Sequence, residues 1–222
     1  MLVEGLPHVL AAYPPGLREK ALRQLRALGV DVRLNVRVRA VDAEGLAFDG
    51  QRLDARTIVW AAGNEASPLG RSLGAPLDPA GRVRVTPELT VPGRRDVFVI
   101  GDMAALEDPG GKQVPGVAPA AMQMGRHTAR NVARSIAGRP LEPFRYRDKG
   151  MLATIGRSAA VADLGFVRLS GWTAWIAWLA LHIFFLIGFR NRLIVLLNWA
   201  WAYATFQRGG RLITGPPPGR EG

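Results

Sequence analysis

The chain has 222 residues, of which 48% are hydrophobic and 21% charged, and this balance excludes an intrinsically disordered protein. It has no cysteine, which excludes disulfides, cysteine-ligated metal centres and thiol redox chemistry within these residues. The formal net charge of +11 suits an anionic partner, either nucleic acid or a membrane surface with acidic lipid. The three histidines lie far apart in the sequence, so we expect no metal site.

Residues 1–68 alternate between short strands and one helix. Leu2-Val3 is an apolar strand stub, and apolar residues at helical spacing predict a helix that ends at Gly29. Two alternating stretches within 30–41 predict strands, and Asp49-Gly50 predicts the tight turn of a hairpin.

An apolar run over Thr57–Gly63 ends in small residues. It predicts a buried strand whose carboxyl end lets a flat ligand approach the backbone closely. Ala62 and Gly63 are therefore candidate cofactor contacts, although a plain turn glycine explains Gly63 equally well.

A second buried strand is predicted over Val97–Ile100, after a Pro- and Gly-rich connection over 69–95. It ends in Gly101 and Asp102. A carboxylate at the end of a strand can accept hydrogen bonds from the hydroxyl groups of a ligand, and the glycine allows close approach. A helix N-cap is the alternative role for Asp102.

A helix is predicted over 118–137, followed by strands within 151–155 and 159–167. No internal repeat and no hydrolytic motif such as G-x-S-x-G stands out. The apolar positions of this helix are Ala121, Met122, Ala129, Val132, Ala133 and Ile136.

The tail holds two apolar runs, Trp172–Phe189 and Leu193–Phe206. They could form one spanning helix, a hairpin in the membrane interface, or buried core helices. Tryptophan favours the boundary between lipid and water, and arginine favours anionic headgroups, so a monotopic anchor is the preferred interpretation. Its anchor residues are Trp172, Trp175, Trp178, Trp199 and Trp201 with Arg190, Arg192, Arg208 and Arg211.

In chain order these segments resemble the C-terminal portion of the type II NADH dehydrogenases, which are single-subunit flavoprotein NADH:quinone oxidoreductases. The resemblance spans residues 1–214. It is carried by LVEGLPHVL at 2–10, TIVWAAGNEASP at 57–68, VFVIGDMA at 97–104, VPGVAPAAMQMGRHTA at 114–129, DKGMLATIGRSAAVA at 148–162 and GFRNRLIVLLNWAWAYATFQRGGRLITG at 188–215.

The resemblance implies an α/β fold, a partial two-dinucleotide-binding (FAD/NAD(P)) Rossmann-like flavoprotein with a C-terminal helical membrane anchor. The implied divisions are the C-terminal part of an NADH-binding domain (1–68), part of a FAD-binding domain (69–143), a segment near flavin and quinone (144–171), anchoring helices (172–214) and a loose tail (215–222).

The resemblance also implies roles for individual residues. Pro119 stands where the family's A-Q-x-A-x-Q stretch has its first Gln, which leaves the quinone contacts less certain than the flavin site. The implied contacts are Glu4 on the NADH ribose, Ala62 and Gly63 on the nicotinamide side, Gly101, Asp102, Ala118 and Ala121 at the flavin, and Gln123 and Lys149 as catalytic residues near flavin and quinone.

The implied activity passes a hydride from NADH to FAD and then electrons to a membrane quinone, without proton pumping. The implied location is the cytoplasmic face of a bacterial cytoplasmic membrane, peripheral or monotopic, with lipid and quinone as partners and no nucleic acid. A homodimer is left open. The sequence contains no G-x-G-x-x-G turn, so we expect a fragment that binds either cofactor poorly. The alternatives are a ferredoxin or thiol-disulfide reductase of the same architecture, or a non-catalytic membrane-associated protein.

Overall fold

A computed structural model describes residues 1–63 and 65–206. The chain divides into two compact units. The first unit comprises Met1–Val38 and the chain from Met151 onward, and the second comprises Arg39–Gly150. Each unit has its own hydrophobic core and is described by itself.

The first unit contains five strands and three helices within the described residues. They are β1 (Leu2–Val3), α1 (Pro15–Ala27), β2 (Val32–Arg33), β10 (Met151–Gly156), β11 (Ala159–Asp163), β12 (Arg168–Ser170), α3 (Trp172–Phe185) and α4 (Phe189–Thr205).

The second unit contains short strands and one long helix, with β3 starting at the boundary between the units. The elements are β3 (Val38–Val41), β4 (Gly45–Phe48), β5 (Gln51–Asp54), β6 (Val83–Arg84), β7 (Thr90–Val91), β8 (Arg94–Phe98), β9 (Ala104–Ala105), α2 (Ala118–Ile136) and the 3-10 helices Pro68–Leu73 and Gly101–Met103.

A parallel β1-α1-β2 crossover begins the first unit, with Leu2 opposite Val32. The predicted strand stub and helix are confirmed, and Gly29 ends the helix with a φ of +81°, which glycine adopts at little cost. The strands predicted within 30–41 are shorter than expected, because only β2 and β3 form there.

The antiparallel sheet β10-β11-β12 lies between two helices of the same unit. Successive side chains of a strand point to opposite faces. Val161 accordingly packs in the cluster that contains Leu17 of α1, whereas Ala160 and Ala162 pack with Ala174 of α3. The small alanines let α3 lie close to the sheet.

The β4-β5 hairpin of the second unit confirms the turn predicted at Asp49-Gly50. Both turn residues have positive φ, +46° and +74°, as the tight hairpin turns require. Within the same unit, β6 pairs with β9 in parallel and β7 pairs with β8 in antiparallel fashion.

Helix α2 is present as predicted, but its buried face was predicted wrongly. The helix buries Ala120, Met124, His127 and Asn131, whereas most of the predicted apolar positions are exposed. Burial of the two polar residues is tolerated because both bond the backbone of Glu142. The amide of Asn131 donates to Glu142 O at 2.9 Å and accepts from Glu142 N at 3.0 Å, and His127 Nε2 lies 2.8 Å from Glu142 O.

A short repeat that the sequence analysis missed shapes two loops of the second unit. Asp78–Arg82 and Asp108–Lys112 both read D-P-x-G followed by a basic residue. In each loop Oδ1 of the Asp accepts from the backbone N–H groups two and four residues later, and the glycine has a φ of +77°.

The buried strand predicted over Thr57–Gly63 is wrong. The run is not a strand, no sheet among the described residues includes it, and Val59 is 83% exposed. A buried parallel strand needs neighbours that pair its backbone groups. An apolar sequence alone therefore does not form one.

The second predicted strand is displaced. Strand β8 ends at Phe98 and pairs with β7, and of the predicted residues Val99 is buried while Ile100 is 38% exposed. The Gly101-Asp102 pair still follows directly, in a 3-10 helix.

The two apolar runs of the tail form α3 and α4. Among residues 1–63 and 65–206, no helix is both long enough and apolar enough to cross a membrane. The expectations for Arg208, Arg211 and the tail over 215–222 lie outside the described residues.

Candidate functional site

The turn after β8 places Gly101 against the first turns of α2. Gly101 has a φ of +66°, and a Cβ built there would lie 3.5 Å from the Cβ of Ala121. Its N–H donates to Met124 Sδ at 3.3 Å. The two contacts hold the turn beside the helix, with backbone rather than a side chain presented at this point.

The Asp102 side chain is exposed beside Gly116, where a Cβ would lie 3.8 Å from Asp102 Oδ1. It does not cap a helix, because Ile100 is the N-cap of the 3-10 helix and Val117 is the N-cap of α2. The N-cap alternative is therefore wrong. Within the described residues the carboxylate has no hydrogen-bond partner, so both oxygens can accept from a ligand.

Helix α2 begins at this site without a side-chain cap. Ala118 is exposed and Ala121 is half-buried, so small side chains flank the helix end. The N-terminus of a helix carries partial positive charge and stabilises an electron-rich group placed beside it. A cluster of Gly101, Asp102, Ala118 and Ala121 is therefore shared by the turn and the helix end.

The side-chain amide of Gln123 both donates a hydrogen bond to and accepts one from the backbone of a single residue. Nε2 donates to Arg147 O at 3.0 Å and Oε1 accepts from Arg147 N at 3.1 Å. This reciprocal pair joins α2 to the segment two residues before Lys149. The geometry gives Gln123 a positioning role, since its amide is already engaged.

Lys149 is exposed and makes no ion pair among the residues that the structure describes. Its neighbour Asp148 accepts from Gly150 N at 2.9 Å, which forms a local turn around the lysine. Burial raises the pKa of Tyr146, and the charge of Asp148 raises it further, so the phenol is neutral at physiological pH. Sequence reasoning missed Tyr146 and the role of Arg147.

Ala62 and Gly63 are exposed. Gly63 has a φ of +89°, and nothing lies within 4 Å of the position of a Cβ there. The positive φ explains why the residue is glycine. Because no contact involves the open space beside it, its cofactor role stays a prediction.

Glu4 follows β1 in the first unit. Its Oε1 accepts from Leu6 N at 2.9 Å, while its carbonyl accepts from Val36 N at 3.0 Å. The half-buried carboxylate is thus oriented by its own turn. Its second oxygen makes no contact within the described residues. This oxygen is therefore available to accept hydrogen bonds from the hydroxyl groups of a ligand.

Arg18 organises the loop after Glu4, a feature that sequence reasoning missed. Its guanidinium donates to His8 Nε2 at 2.9 Å, to Ala11 O at 2.5 Å and to Tyr13 O. A cavity of about 270 Å³ lies beside it. The pKa of Tyr13 is raised by burial and by the charge of Asp163.

The hairpin of α3 and α4 is joined by aromatic contacts. Trp178 stacks on Trp199 with centroids 5.6 Å apart, and Trp175 lies 5.3 Å from the ring of Tyr203. Three of the five predicted anchor tryptophans therefore make ring contacts within the hairpin. Trp172 and Trp201 are 60% and 63% exposed and are the ones available to an outside partner.

The arginines of the hairpin also differ in their surroundings. Arg190 is exposed and makes no hydrogen bond within the described part of the chain. Arg192 instead donates to the carbonyls of Leu186 and Phe184, each at 2.8 Å. Only Arg190 of this pair has a guanidinium free for a headgroup.

Two known family models match parts of the chain. Residues 1–125 match the model described as pyridine nucleotide-disulphide oxidoreductase, and residues 149–206 match the NDH2 C-terminal domain. The chain belongs to the pyridine nucleotide-disulphide oxidoreductase family. The second match confirms the resemblance to the type II NADH dehydrogenases.

Curated relatives support the same conclusion for most of the chain. Two proteins of Mycobacterium tuberculosis, the type II NADH:quinone oxidoreductases Ndh and NdhA, are 41% and 40% identical over 96% of this chain. The chain spans about half the length of these relatives, 48% and 47%.

A solved structure shares the fold. The structure of NDH2 from Plasmodium falciparum in complex with NADH matches 90% of this chain and 57% of its own with a TM-score of 0.79, at 16% identity. A likeness at this identity supports the α/β fold alone.

Proposed function

We propose that this chain is part of a FAD-dependent NADH:quinone oxidoreductase that does not pump protons. The observation that carries the proposal is the Gly101-Asp102 turn packed on the uncapped start of α2. The names of the M. tuberculosis relatives support it.

The residues of this turn fit a flavin dinucleotide. The unpartnered carboxylate of Asp102 would accept from the ribityl hydroxyls, and Gly101 would leave room for the ligand against the backbone. Ala118 and Ala121 are small enough to let a flat ring lie along α2. FAD, when bound, supplies the hydride and electron chemistry that no side chain of this chain can supply.

Two further residues would act near the ring. Lys149 would stabilise negative charge that develops on a reduced ligand, because its ammonium makes no ion pair within the described residues. Gln123 would hold the segment that carries Lys149 in place through Arg147. Quinone would be the final electron acceptor at this side.

The proposed NADH contacts are argued for each unit by itself, Glu4 in the first and Ala62 and Gly63 in the second. A carboxylate at the end of a strand in a dinucleotide-binding fold accepts from the ribose hydroxyls and disfavours a 2′-phosphate. The free oxygen of Glu4 fits this role, so NADH rather than NADPH is the proposed donor. Ala62 and Gly63 would border the nicotinamide.

Membrane binding is proposed for the α3–α4 hairpin. Large apolar side chains are exposed on it, including Phe184, Ile187 and Phe189, and Arg190 lies beside them. This pattern fits a peripheral or monotopic association with an anionic bilayer. The proposed location is the cytoplasmic face of a bacterial cytoplasmic membrane. The exposed apolar hairpin also argues against the two alternatives, a ferredoxin reductase and a thiol-disulfide reductase.

The test of the flavin site is a titration of FAD, followed by the flavin's own fluorescence, with the longer protein of which we propose this chain to be a part. Asp102→Ala should weaken binding at least about tenfold, because a hydrogen bond to a charged group contributes about 1.5–3 kcal/mol. Asp108→Ala removes a carboxylate from a loop of the same unit and serves as the control. Equal binding by both variants and the parent would overturn the site.

The activity is tested separately in the longer oxidoreductase of which we propose this chain to be a part, loaded with FAD, because we expect this chain alone to be inactive. NADH oxidation should require an added quinone, and Lys149→Ala should slow it more than it weakens FAD binding. Oxidation that proceeds equally with ferredoxin in place of quinone would contradict the proposed acceptor.

A further inference from the structure

Arg192 reaches back from the first turn of α4 to the end of α3. Its Nε donates to Leu186 O and its second nitrogen to Phe184 O, both at 2.8 Å. The carbonyls in the last turn of a helix lack intrahelical partners, and the helix dipole places negative charge there. Arg192 therefore caps α3 across the hairpin turn.

Arg157, in the turn between β10 and β11, caps the C-terminal end of α4. One of its nitrogens donates to Tyr203 O, and Ala202 O lies 3.4 Å from it. Its guanidinium also lies over the rings of Tyr203 and Phe206, at 4.6 and 4.0 Å from their centroids. A planar cation that both bonds carbonyls and stacks on rings is a role for Arg rather than Lys.

Ser158 adds a second contact between the same turn and the same helix. Its Oγ lies 2.7 Å from the hydroxyl of Tyr203. Ser158 has a φ of +55°, a conformation that glycine adopts more easily than serine. The contact with the Tyr203 hydroxyl explains why serine, and not glycine, occupies this strained position.

The hairpin has no acid with which these arginines could pair. No Asp or Glu occurs between Asp163 and Glu221. Carbonyl groups at helix ends are consequently the acceptors that compensate the two charges. The same contacts, with the stacking of Trp178 on Trp199, join both helices to each other and to the sheet without any outside partner.

We propose that Arg157 and Arg192 are positioning residues that hold the hairpin folded and seated on the β10-β11-β12 sheet before it meets lipid. The hairpin is a preformed anchor, in contrast to amphipathic segments that fold on the bilayer. This inference rests on the proposed membrane binding for its purpose, but the caps themselves are testable in water.

The experiment compares Arg157→Gln, Arg192→Gln and Arg190→Gln in the full chain. Each change removes one positive charge from the same unit, but Arg190 has no cap to lose. Amide hydrogen exchange in the absence of lipid should show about tenfold faster exchange at the end of α4 for Arg157→Gln and at the end of α3 for Arg192→Gln. Arg190→Gln should leave both ends unchanged.

Binding to vesicles of phosphatidylglycerol and phosphatidylcholine in equal amounts is then measured. Amide hydrogen exchange is repeated with these vesicles present. The parent hairpin should show the same exchange protection before and after vesicles are added. Protection that appears only with vesicles would overturn the preformed anchor, as would equal exchange in all three variants.

A more conservative variant, Arg157→Lys, serves as a second comparison in case Arg157→Gln folds poorly. Arg157→Lys keeps the charge but loses the planar stacking, so it should speed exchange less than Arg157→Gln does. Exchange in Arg157→Lys that is as slow as in the parent would show that charge alone matters and would overturn the stacked cap at Arg157. If the parent is protected in water but fails to bind vesicles, the membrane proposal falls and the caps stand.

Discussion

At the scale of single residues, positive φ angles explain several glycines, and Gly101 combines such an angle with a functional position. A Cβ at Gly101 would be in ordinary van der Waals contact with Ala121, whereas at Gly111 it would meet nothing within 4 Å. The φ angles are similar, +66° and +77°.

Gly101→Ala and Gly111→Ala should therefore destabilise the second unit by similar amounts, about 1 kcal/mol each, through backbone strain alone. Only Gly101→Ala should also weaken FAD binding, because a methyl group would occupy the space beside the backbone. Thermal unfolding and FAD titration of both variants provide the measurement. Equal FAD affinity in the two would show that no ligand approaches Gly101.

The loop ion pair of the second unit is another feature that acts at the residue scale. Asp78 is 8% exposed and lies 2.7 Å from Arg82. Burial alone would raise the pKa of Asp78, but hydrogen bonds from the backbone and guanidinium of Arg82 outweigh it, so the pKa is lowered overall.

A lowered pKa in the folded state contributes stability above the unfolded pKa, near 3.9, and this stability is lost as pH falls through the folded pKa. Asp78→Ala should cost about 2 kcal/mol at pH 7, and the difference from the parent should shrink below about pH 4. Denaturant unfolding at several pH values checks this. In the matched loop, Asp108 has no arginine partner among the described residues, so Asp108→Ala should cost about 1 kcal/mol.

At the scale of elements, the tail is two helices with distinct sets of tryptophans. Trp178 packs on Trp199 between the helices, while Trp201 is 63% exposed. The sequence predicted one anchoring role for all of them, but an aromatic residue also stabilises contacts between helices.

Trp178→Ala should reduce the stability of the hairpin by about 2 kcal/mol and remove the near-UV circular dichroism of the stacked pair. Trp201→Ala should leave stability nearly unchanged and weaken binding to neutral vesicles about tenfold, because its exposed surface would enter the interface. Stability that drops equally in both variants would contradict the separation of roles.

At the scale of the whole molecule, the net charge of +11 adds a long-range attraction to the apolar contact with lipid. Binding to anionic vesicles should exceed binding to neutral vesicles about tenfold at low salt, and the excess should disappear near 1 M salt, where charges are screened within about 3 Å. Vesicle sedimentation over a salt series measures it. Salt-independent binding would mean that the arginines contribute nothing to it.

Patterns that depend on a few neighbouring residues were predictable. The turn at Asp49-Gly50, the end of α1 at Gly29 and the start and end of α2 follow from local backbone preferences, and the structure confirms them. The order of motifs was specific enough to give the family.

The sequence alone determined the family, the sites of tight turns and the two apolar runs of the tail, because each depends on residue type and spacing. Tertiary structure decided which polar groups are buried and engaged. Asn131 is buried because Glu142 offers both a donor and an acceptor, and Arg192 caps α3 because the turn returns it to Leu186. Thr57–Gly63 reads as a strand but is not paired in any described sheet. Hydrogen-bond partners distant in sequence decided these outcomes, and local patterns do not specify such partners.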